Sequence, residues 1–244
     1  MASSSCLSAA TNLRLLRLSN TMRVCALIPA FNEAAHIEDV VRGAGKSVEC
    51  VVVIDDGSVD GTGKIARTAG ATCLRSEVRS GKASALRMGI DFAREREFTH
   101  VLFCDGDGQH ATDDIPALIR AAEAGADMVI GTRSFDRGRM PRARYYSNTI
   151  GSKVASWLVG QEIKDSQCGF RLVRLDKLRN MTLRGRKYEL EMEILIKISL
   201  AGCSIVHIPV RTVYDDGQAR SKMKPVRDTV RICFWSLAFR FLGV

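Results

Sequence analysis

The sequence predicts an α/β fold: one domain built on a mostly parallel central sheet flanked by helices, followed by a C-terminal amphipathic helix. Three observations carry that expectation. Short apolar runs alternate with helix-period segments from residue 24 to about 131, which is the rhythm of right-handed βαβ crossovers. Two of those runs, 51–54 and 101–104, end abruptly in carboxylates and glycines. Continuous apolar runs of this kind suit parallel strands buried on both faces, and open α/β sheets bind ligands at the carboxyl ends of such strands. The 244 residues are 46% hydrophobic and 26% charged, an ordinary balance for a globular domain.

Residues 1–22 are Ser-rich and acid-free, and read as a disordered or processed tail. The main domain is assigned to 23–224. Strands are expected at 24–28, 51–55, 72–75, 100–104 and 127–131, and helices at 33–43, 60–69, 82–97 and 113–124. Asp113 and Asp114 suit the N-terminus of the last of these helices. An Arg/Gly/Pro-containing loop, expected to be mobile, covers 132–144. A helix at 145–160, a strand at 170–173, a helix within 188–201 and a strand at 205–210 follow, before a polar stretch at 214–224. The last segment, 225–244, is the amphipathic helix. Its apolar part, 232–244, would reach about 20 Å against a hydrocarbon core of about 30 Å, so it cannot span a bilayer. Behind Arg227 and Arg231 it either lies in a membrane interface or docks on the body of the protein or a second subunit.

The net charge of +9 calls for an anionic partner. Arg133, Arg137, Arg139, Arg142 and Arg144 crowd one segment against Asp136, and Lys222, Lys224, Arg227 and Arg231 form a second basic group. No nucleic-acid-binding motif accompanies either, so phosphate-bearing small molecules and lipid headgroups are the expected partners. No apolar stretch is long enough for a transmembrane helix. The eight cysteines are scattered without a CxxC pair, which favours a reduced, cytoplasmic setting and argues against structural zinc or disulfides.

Asp105, Asp107 and Gln109 alternate, so on an extended segment their oxygens would point one way. Mg²⁺ or Mn²⁺ suits such a group, with substrate phosphate oxygens filling the remaining positions. Gly106 and Gly108 would let the backbone approach the ligand closely. A calcium-binding EF-hand loop is excluded, because its twelfth position counted from Asp105 is Pro116. In Asp55-Asp56-Gly57-Ser58, a carboxylate at the strand end can accept from ribose hydroxyls or base N–H groups, while Ser58 could cap the next helix.

Two further motifs are decoys. The run Gly61 to Ala66 matches GxGxxA, but it begins well beyond Ile54 rather than in the turn directly after the strand. Ser80-Gly81-Lys82-Ala83 fails as a P-loop at Ser76 and Ala83, leaving Lys82 at a helix start either to approach an anion or, as the favoured reading, to be solvated. His110 and His207 read as structural. Glu189 and Glu191 either orient arginines or acceptor, or form the acidic first turn of a helix.

Taken in order, several motifs resemble those of family 2 glycosyltransferases: Ile28 to Glu33, Asp55 to Thr62, Gly81-Lys82, Asp105 to His110, Gly131-Thr132-Arg133, Asp165 to Arg171 and Glu189-Leu190-Glu191. The pattern over about 24–224 is most similar to the dolichyl- or polyprenyl-phosphate sugar (mannose) synthases. The resemblance implies a GT-A, Rossmann-like fold, a nucleotide-diphosphate sugar donor and a divalent metal. It places Pro29, Phe31 and Glu33 at the base, Ile54 and Asp56 at base or ribose, and Asp105, Gly106, Asp107 and Gln109 at metal and diphosphate. Lys222 would sit near the donor phosphates, and Arg133 would be the phosphate-contacting arginine in the loop that covers the acceptor. Arg142 and Arg144 join it as acceptor-binding candidates. The chain departs from the family at Tyr188, where Phe is frequent, at Asp215 and Asp216, where some relatives carry a base, and in lacking the spanning segments many relatives have.

The expected activity is metal-dependent, inverting hexosyl transfer to polyprenyl or dolichyl phosphate, at most peripherally bound to a membrane surface on its cytoplasmic face. Asp107 and Arg133 are its expected catalytic residues, and oligomers are open. A hydroxyl acceptor is one alternative, for which Asp165 would serve as general base. A nicotinamide-dinucleotide oxidoreductase, resting on the GxGxxA match, is another.

Overall fold

The computed structural model describes residues 21–133, 142–213 and 225–241. In chain order the elements are β1 (Val24–Ala30), α1 (Ile37–Gly45), β2 (Cys50–Asp56), α2 (Thr62–Thr68), β3 (Thr72–Ser76), α3 (Lys82–Glu95) and β4 (His100–Phe103). There follow α4 (Ile115–Glu123), β5 (Met128–Arg133), α5 (Arg142–Val159), β6 (Arg171–Arg174), α6 (Glu189–Leu200), β7 (Ile205–Val210) and α7 (Pro225–Phe241).

One seven-stranded sheet runs in the order β3-β2-β1-β4-β6-β5-β7. The β1–β2, β1–β4, β2–β3 and β5–β7 pairs are parallel, as the βαβ rhythm requires. β6 is the exception: it lies antiparallel between β4 and β5, with Leu102 opposite Leu172 and Ile130 opposite Arg171. The apolar character of this short strand is visible in the sequence, but its insertion point depends on distant pairing.

Alternation along the strands splits the core in two. Leu27, Ile54 and Phe103 pack on one face with Leu86 of α3, Ile196 of α6 and Ile232 and Phe239 of α7. Ile28, Val53, Leu102 and Leu172 pack on the other with Ile37 and Val41 of α1 and Leu118 of α4. Helices cover both faces, which is why the strands read as unbroken apolar runs.

Two local expectations change. The first helix begins at Ile37 rather than 33, because residues 31–36 are held as a loop by the segment after β2. Asp114 occupies the cap position of α4 without making a side-chain cap; its carboxylate instead accepts from Arg211 N at 2.7 Å and Arg211 Nε at 3.0 Å. An ion pair with a cation on another element has displaced the local cap.

One face of the C-terminal helix docks on the body of the protein. α7 lies against α5 and α6, burying Thr229, Ile232, Ser236 and Phe239. Arg240 Nε donates to Leu158 O at 3.1 Å, and Gln167 Nε2 to Thr229 Oγ1 at 3.1 Å. Among the described residues no helix is long and apolar enough to cross a membrane. The seven described cysteines are all free thiols.

Candidate active site

The sheet order reverses between β1 and β4, and a cleft of about 580 Å³ opens there beyond the carboxyl ends of β1, β2 and β4. Pro29, Phe31 and Glu33 form one wall, and Asp56, Asp105, Gly106 and Asp107 line it from the neighbouring strand ends. Seven residues singled out from the sequence as donor-binding are thus brought together.

The wall after β1 is built by the motif after β2. Asn32 takes a left-handed backbone (φ 55°), its N–H donates to Ser58 Oγ at 2.9 Å, and its Oδ1 accepts from Val59 N at 3.0 Å. Glu33 N donates to Thr62 Oγ1 at 2.9 Å, and Ala34 N to Asp60 Oδ2 at 3.0 Å. Ser58 therefore braces the wall instead of capping α2. Deeper down, Asp55 is fully buried and pairs with Arg75 at 2.7 Å. Gly63 is required beside it, since a Cβ there would meet Asp55 Oδ2 at 2.5 Å. Gly61 (φ 89°) turns the chain into α2 and Gly63 lets that helix approach Asp55; both lie outside the cleft lining, which removes the structural basis of the dinucleotide reading.

Asp56 accepts from Ser80 N at 2.7 Å, Ser80 Oγ at 2.9 Å and Gly81 N at 2.8 Å. Its carboxylate anchors the approach to α3 at the cleft edge. Ile54 does not reach the cleft: it is wholly buried against Leu27 and α3, with its Cδ1 3.1 Å from where a Cβ on Gly89 would stand. Its assignment to the base or ribose is corrected on that ground.

Lys82 is not a solvated lysine. Its Nζ lies 2.6 Å from Asp105 Oδ1 and 3.3 Å from Glu191 Oε1. Burial disfavours the ammonium, yet the Asp105 and Glu191 charges outweigh it and hold the lysine above its usual range. Burial likewise opposes ionisation of Asp105, but Lys82 and His110 hold its carboxyl far below the ordinary range. His110 Nε2 stands 3.3 Å from Asp105 Oδ2 and its ring stacks on Phe170 at 4.9 Å. Asp107 moves the other way: burial and then the Asp105 charge push its carboxyl up.

Beyond Asp105 the chain turns rather than extending, with Gly108 at φ 74°. The alternation expected to align three oxygens is therefore absent. Asp105 and Asp107 still line the cleft, whereas Gln109 does not; its N–H donates to Asp107 Oδ1 at 3.1 Å. Among the described residues no three His, Cys, Asp or Glu side chains make a ready-formed metal cage. A hard divalent ion nevertheless fits the two cleft carboxylates, because such ions complete their shells with water and phosphate oxygens. Glu191 Oε1, buried, faces Lys82 Nζ at 3.3 Å and is not part of the cleft lining. The surroundings are tight: a Cβ on Gly169 would come within 2.7 Å of Asp105 Oδ2.

Arg133 and Asp165 form a forked pair, Nε to Oδ2 at 2.7 Å and Nη2 to Oδ1 at 3.0 Å. Burial opposes the guanidinium charge, but Asp165 overrides it and holds Arg133 above its usual range. Asp165 is fully buried and also accepts from Gln167 N at 3.2 Å, so both oxygens are occupied. The pair stands beside the cleft and not among its lining residues. Arg142 is exposed on the first turn of α5. Arg144 belongs to the same helix, but its side chain, like Arg137, Arg139 and Lys222, lies outside the described residues.

Several cleft residues escaped the sequence reading. Arg79 places its guanidinium 4.0 Å from the centre of the Phe31 ring. Lys187 and Tyr188 enter from the start of α6, and Arg227, Asp228 and Arg231 from α7, where Arg231 pairs with Glu189. Docking of α7 adds its three residues to the others; the GRK of 185–187 and the basic spacing of α7 are the signals the sequence offers. Arg171 was also missed. Wholly buried, it donates to Ser166 O, Cys168 O and Glu191 O, tying the 165–170 loop to α6.

The family model for glycosyl transferase family 2 matches residues 25–182. An undecaprenyl-phosphate mannosyltransferase from Micrococcus luteus is 29% identical over 91% of this chain and 98% of its own. Glycosyltransferase AglJ from Haloferax volcanii is 30% identical over 84% of this chain and 68% of its own. In fold, the chain is similar to glucosyl-3-phosphoglycerate synthase from Mycobacterium tuberculosis, with a TM-score of 0.71 at 19% identity, covering 92% and 81% of the two chains. That fold is GT-A, and the chain belongs to glycosyl transferase family 2.

Proposed function

We propose that this transferase moves a sugar from a nucleotide-diphosphate sugar to a polyprenyl- or dolichyl-type phosphate, with Mg²⁺ or Mn²⁺ and with inversion. The observation that carries this reading is a single cleft lined by Asp105, Asp107 and Lys82, with Lys82 paired to Asp105, and also by Phe31, over whose ring Arg79 stacks. The acids and lysine suit a cation-bound diphosphate, and the Phe31–Arg79 pair suits a flat base. Two relatives support the acceptor class: the M. luteus protein is an undecaprenyl-phosphate mannosyltransferase, and a protein 25% identical over 90% of this chain is a polyprenol monophosphomannose synthase. A fold neighbour bound to Mn²⁺ and uridine diphosphate supports the donor and cation class.

In this mechanism Pro29, Phe31 and Glu33 seat the base, and Asp56 braces α3 while facing the ribose. Asp105, Gly106 and Asp107 receive the diphosphate and the divalent ion, which when bound acts as a Lewis acid on the leaving group. An acceptor phosphate oxygen attacks the anomeric carbon as the bond to the donor's β-phosphate oxygen breaks. The bonding electrons leave with the nucleoside diphosphate. Lys82 and Lys222 add fixed positive charge beside it. The acceptor is already an anion, so no general base is needed. Asp165, its oxygens engaged by Arg133, is accordingly a positioning residue, and Arg133, Arg142 and Arg144 hold the acceptor phosphate. The site works on the cytoplasmic face of a membrane, with the protein bound peripherally.

The test is release of nucleoside diphosphate from a panel of UDP- and GDP-sugars with Mg²⁺ or Mn²⁺, with and without a polyprenyl phosphate. Release that depends on the lipid phosphate is expected. Equal release with a neutral hydroxyl acceptor and none with lipid phosphate would reject the acceptor assignment.

A further inference from the structure

α7 is apolar on two faces. One, carrying Ile232 and Phe239, is buried against α5 and α6. The other carries Val226, Val230, Phe234, Leu237 and Phe241, spaced so that all five fall on one stripe on the far side of the helix from the buried one. All five are exposed, Phe234 at 67%. An apolar stripe on a helix normally faces a core, yet this one faces outward.

α5 repeats the pattern. Tyr146, Ile150 and Trp157 share one stripe with Lys153, and Trp157 is 68% exposed. The Trp157 and Phe241 rings lie 6.3 Å apart, so the two stripes meet. Exposed apolar surface of this extent, gathered across two helices, marks an interaction surface.

Charge selects the occupant. Three exposed cations border the two stripes, Arg142 and Lys153 on α5 and Arg240 on α7, while Asp228 lies on the cleft side with Arg227 and Arg231. Cations without an acid beside them make a symmetric contact between two copies self-repelling, since a twofold interface sets the same patch against itself. An anionic bilayer is complementary on both counts: the aromatics enter the headgroup region and the cations meet lipid phosphates.

We infer that the joined outer face of α5 and α7 docks this protein on anionic membrane surfaces. Arg227, Asp228 and Arg231 of the same helix line the cleft, so docking brings the cleft edge close to the headgroups. The benefit for a lipid-linked acceptor rests on the function proposed above; docking itself does not.

The experiment is co-sedimentation of the full chain with vesicles of phosphatidylcholine alone, or with about a third phosphatidylglycerol. Binding to the anionic vesicles, weakened by salt, is expected. A Trp157→Ser/Phe234→Ser variant should lose about tenfold or more in partitioning. Its circular dichroism and nucleotide binding should not change. Absence of vesicle binding, or binding unaltered in the variant, overturns the inference. So does a concentration-dependent dimer that the variant abolishes while vesicles are ignored. Transfer to a short, water-soluble isoprenyl phosphate, measured in parallel, tests the proposed activity without any membrane and separates the two failures.

Discussion

Lys82 Nζ and Asp105 Oδ1 stand 2.6 Å apart in the floor of the cleft. The ammonium thus neutralises the carboxylate that the proposed cation would use, and both compete for one oxygen. Lys82→Met should tighten Mn²⁺ binding to the ligand-free protein, by at least about fivefold, while lowering turnover. It should also cost about 1–3 kcal/mol of stability, because Asp105 is left without its partner. Paramagnetic titration of Mn²⁺ and thermal unfolding read the two effects separately. Unchanged or weaker Mn²⁺ binding would remove the competition.

Asp165 and Arg133 make a different test. Breaking a buried pair from one side is expensive, so Asp165→Asn should destabilise by about 3 kcal/mol or more. Transfer should fall because Arg133 is no longer aimed. The pH–rate profile should keep its shape, since positioning carries no proton. Loss of a limb from that profile would restore Asp165 as a general base.

Gly169 sets how closely the 165–170 loop approaches the floor. Gly169→Ala would put a methyl carbon within 2.7 Å of Asp105 Oδ2 and 3.2 Å of Lys82 Nζ. The side chain must move aside, so nucleotide binding in the presence of Mn²⁺ should weaken by about tenfold or more with the fold intact. Calorimetry on the variant checks this; wild-type affinity would show that the contact is slack.

Much of this site is legible in the sequence because its parts are local. Runs such as 51–56 and 101–107 announce both a buried strand and the acids at its end, and the sheet places those ends together. What the sequence hides is what happens after the strand stops. The turn at Gly106 to Gly108 removes the alternation on which Gln109 was included, and Ile54 shares a face with Asp56 yet sits one step deeper in the core. Lys82 looked solvated because its partners, Asp105 and Glu191, lie on other elements. The cleft contribution of α7 and the central place of β6 are likewise products of tertiary pairing.

His100 supplies a pH signature unrelated to catalysis. Burial, and then the Arg174 charge, lower its proton affinity below the ordinary value of 6.5. The unfolded chain therefore binds the proton more readily than the folded one, so stability is complete above about pH 6.5 and declines as pH falls through the folded-state value. Thermal unfolding from pH 8 to 5 should show that decline, and His100→Gln should flatten it. An equal slope in the variant would assign the acid sensitivity elsewhere.

The central claim is that Asp105 and Asp107 seat a nucleoside diphosphate together with a divalent ion. Calorimetric titration of UDP and GDP, with Mn²⁺ or with chelator, tests it most directly in the wild type and in Asp107→Asn. At least one nucleotide should bind about tenfold or more tightly with Mn²⁺ in the wild type, and that gain should vanish in the variant. Equal affinity in chelator, or a Mn²⁺ gain that survives the substitution, would contradict the account.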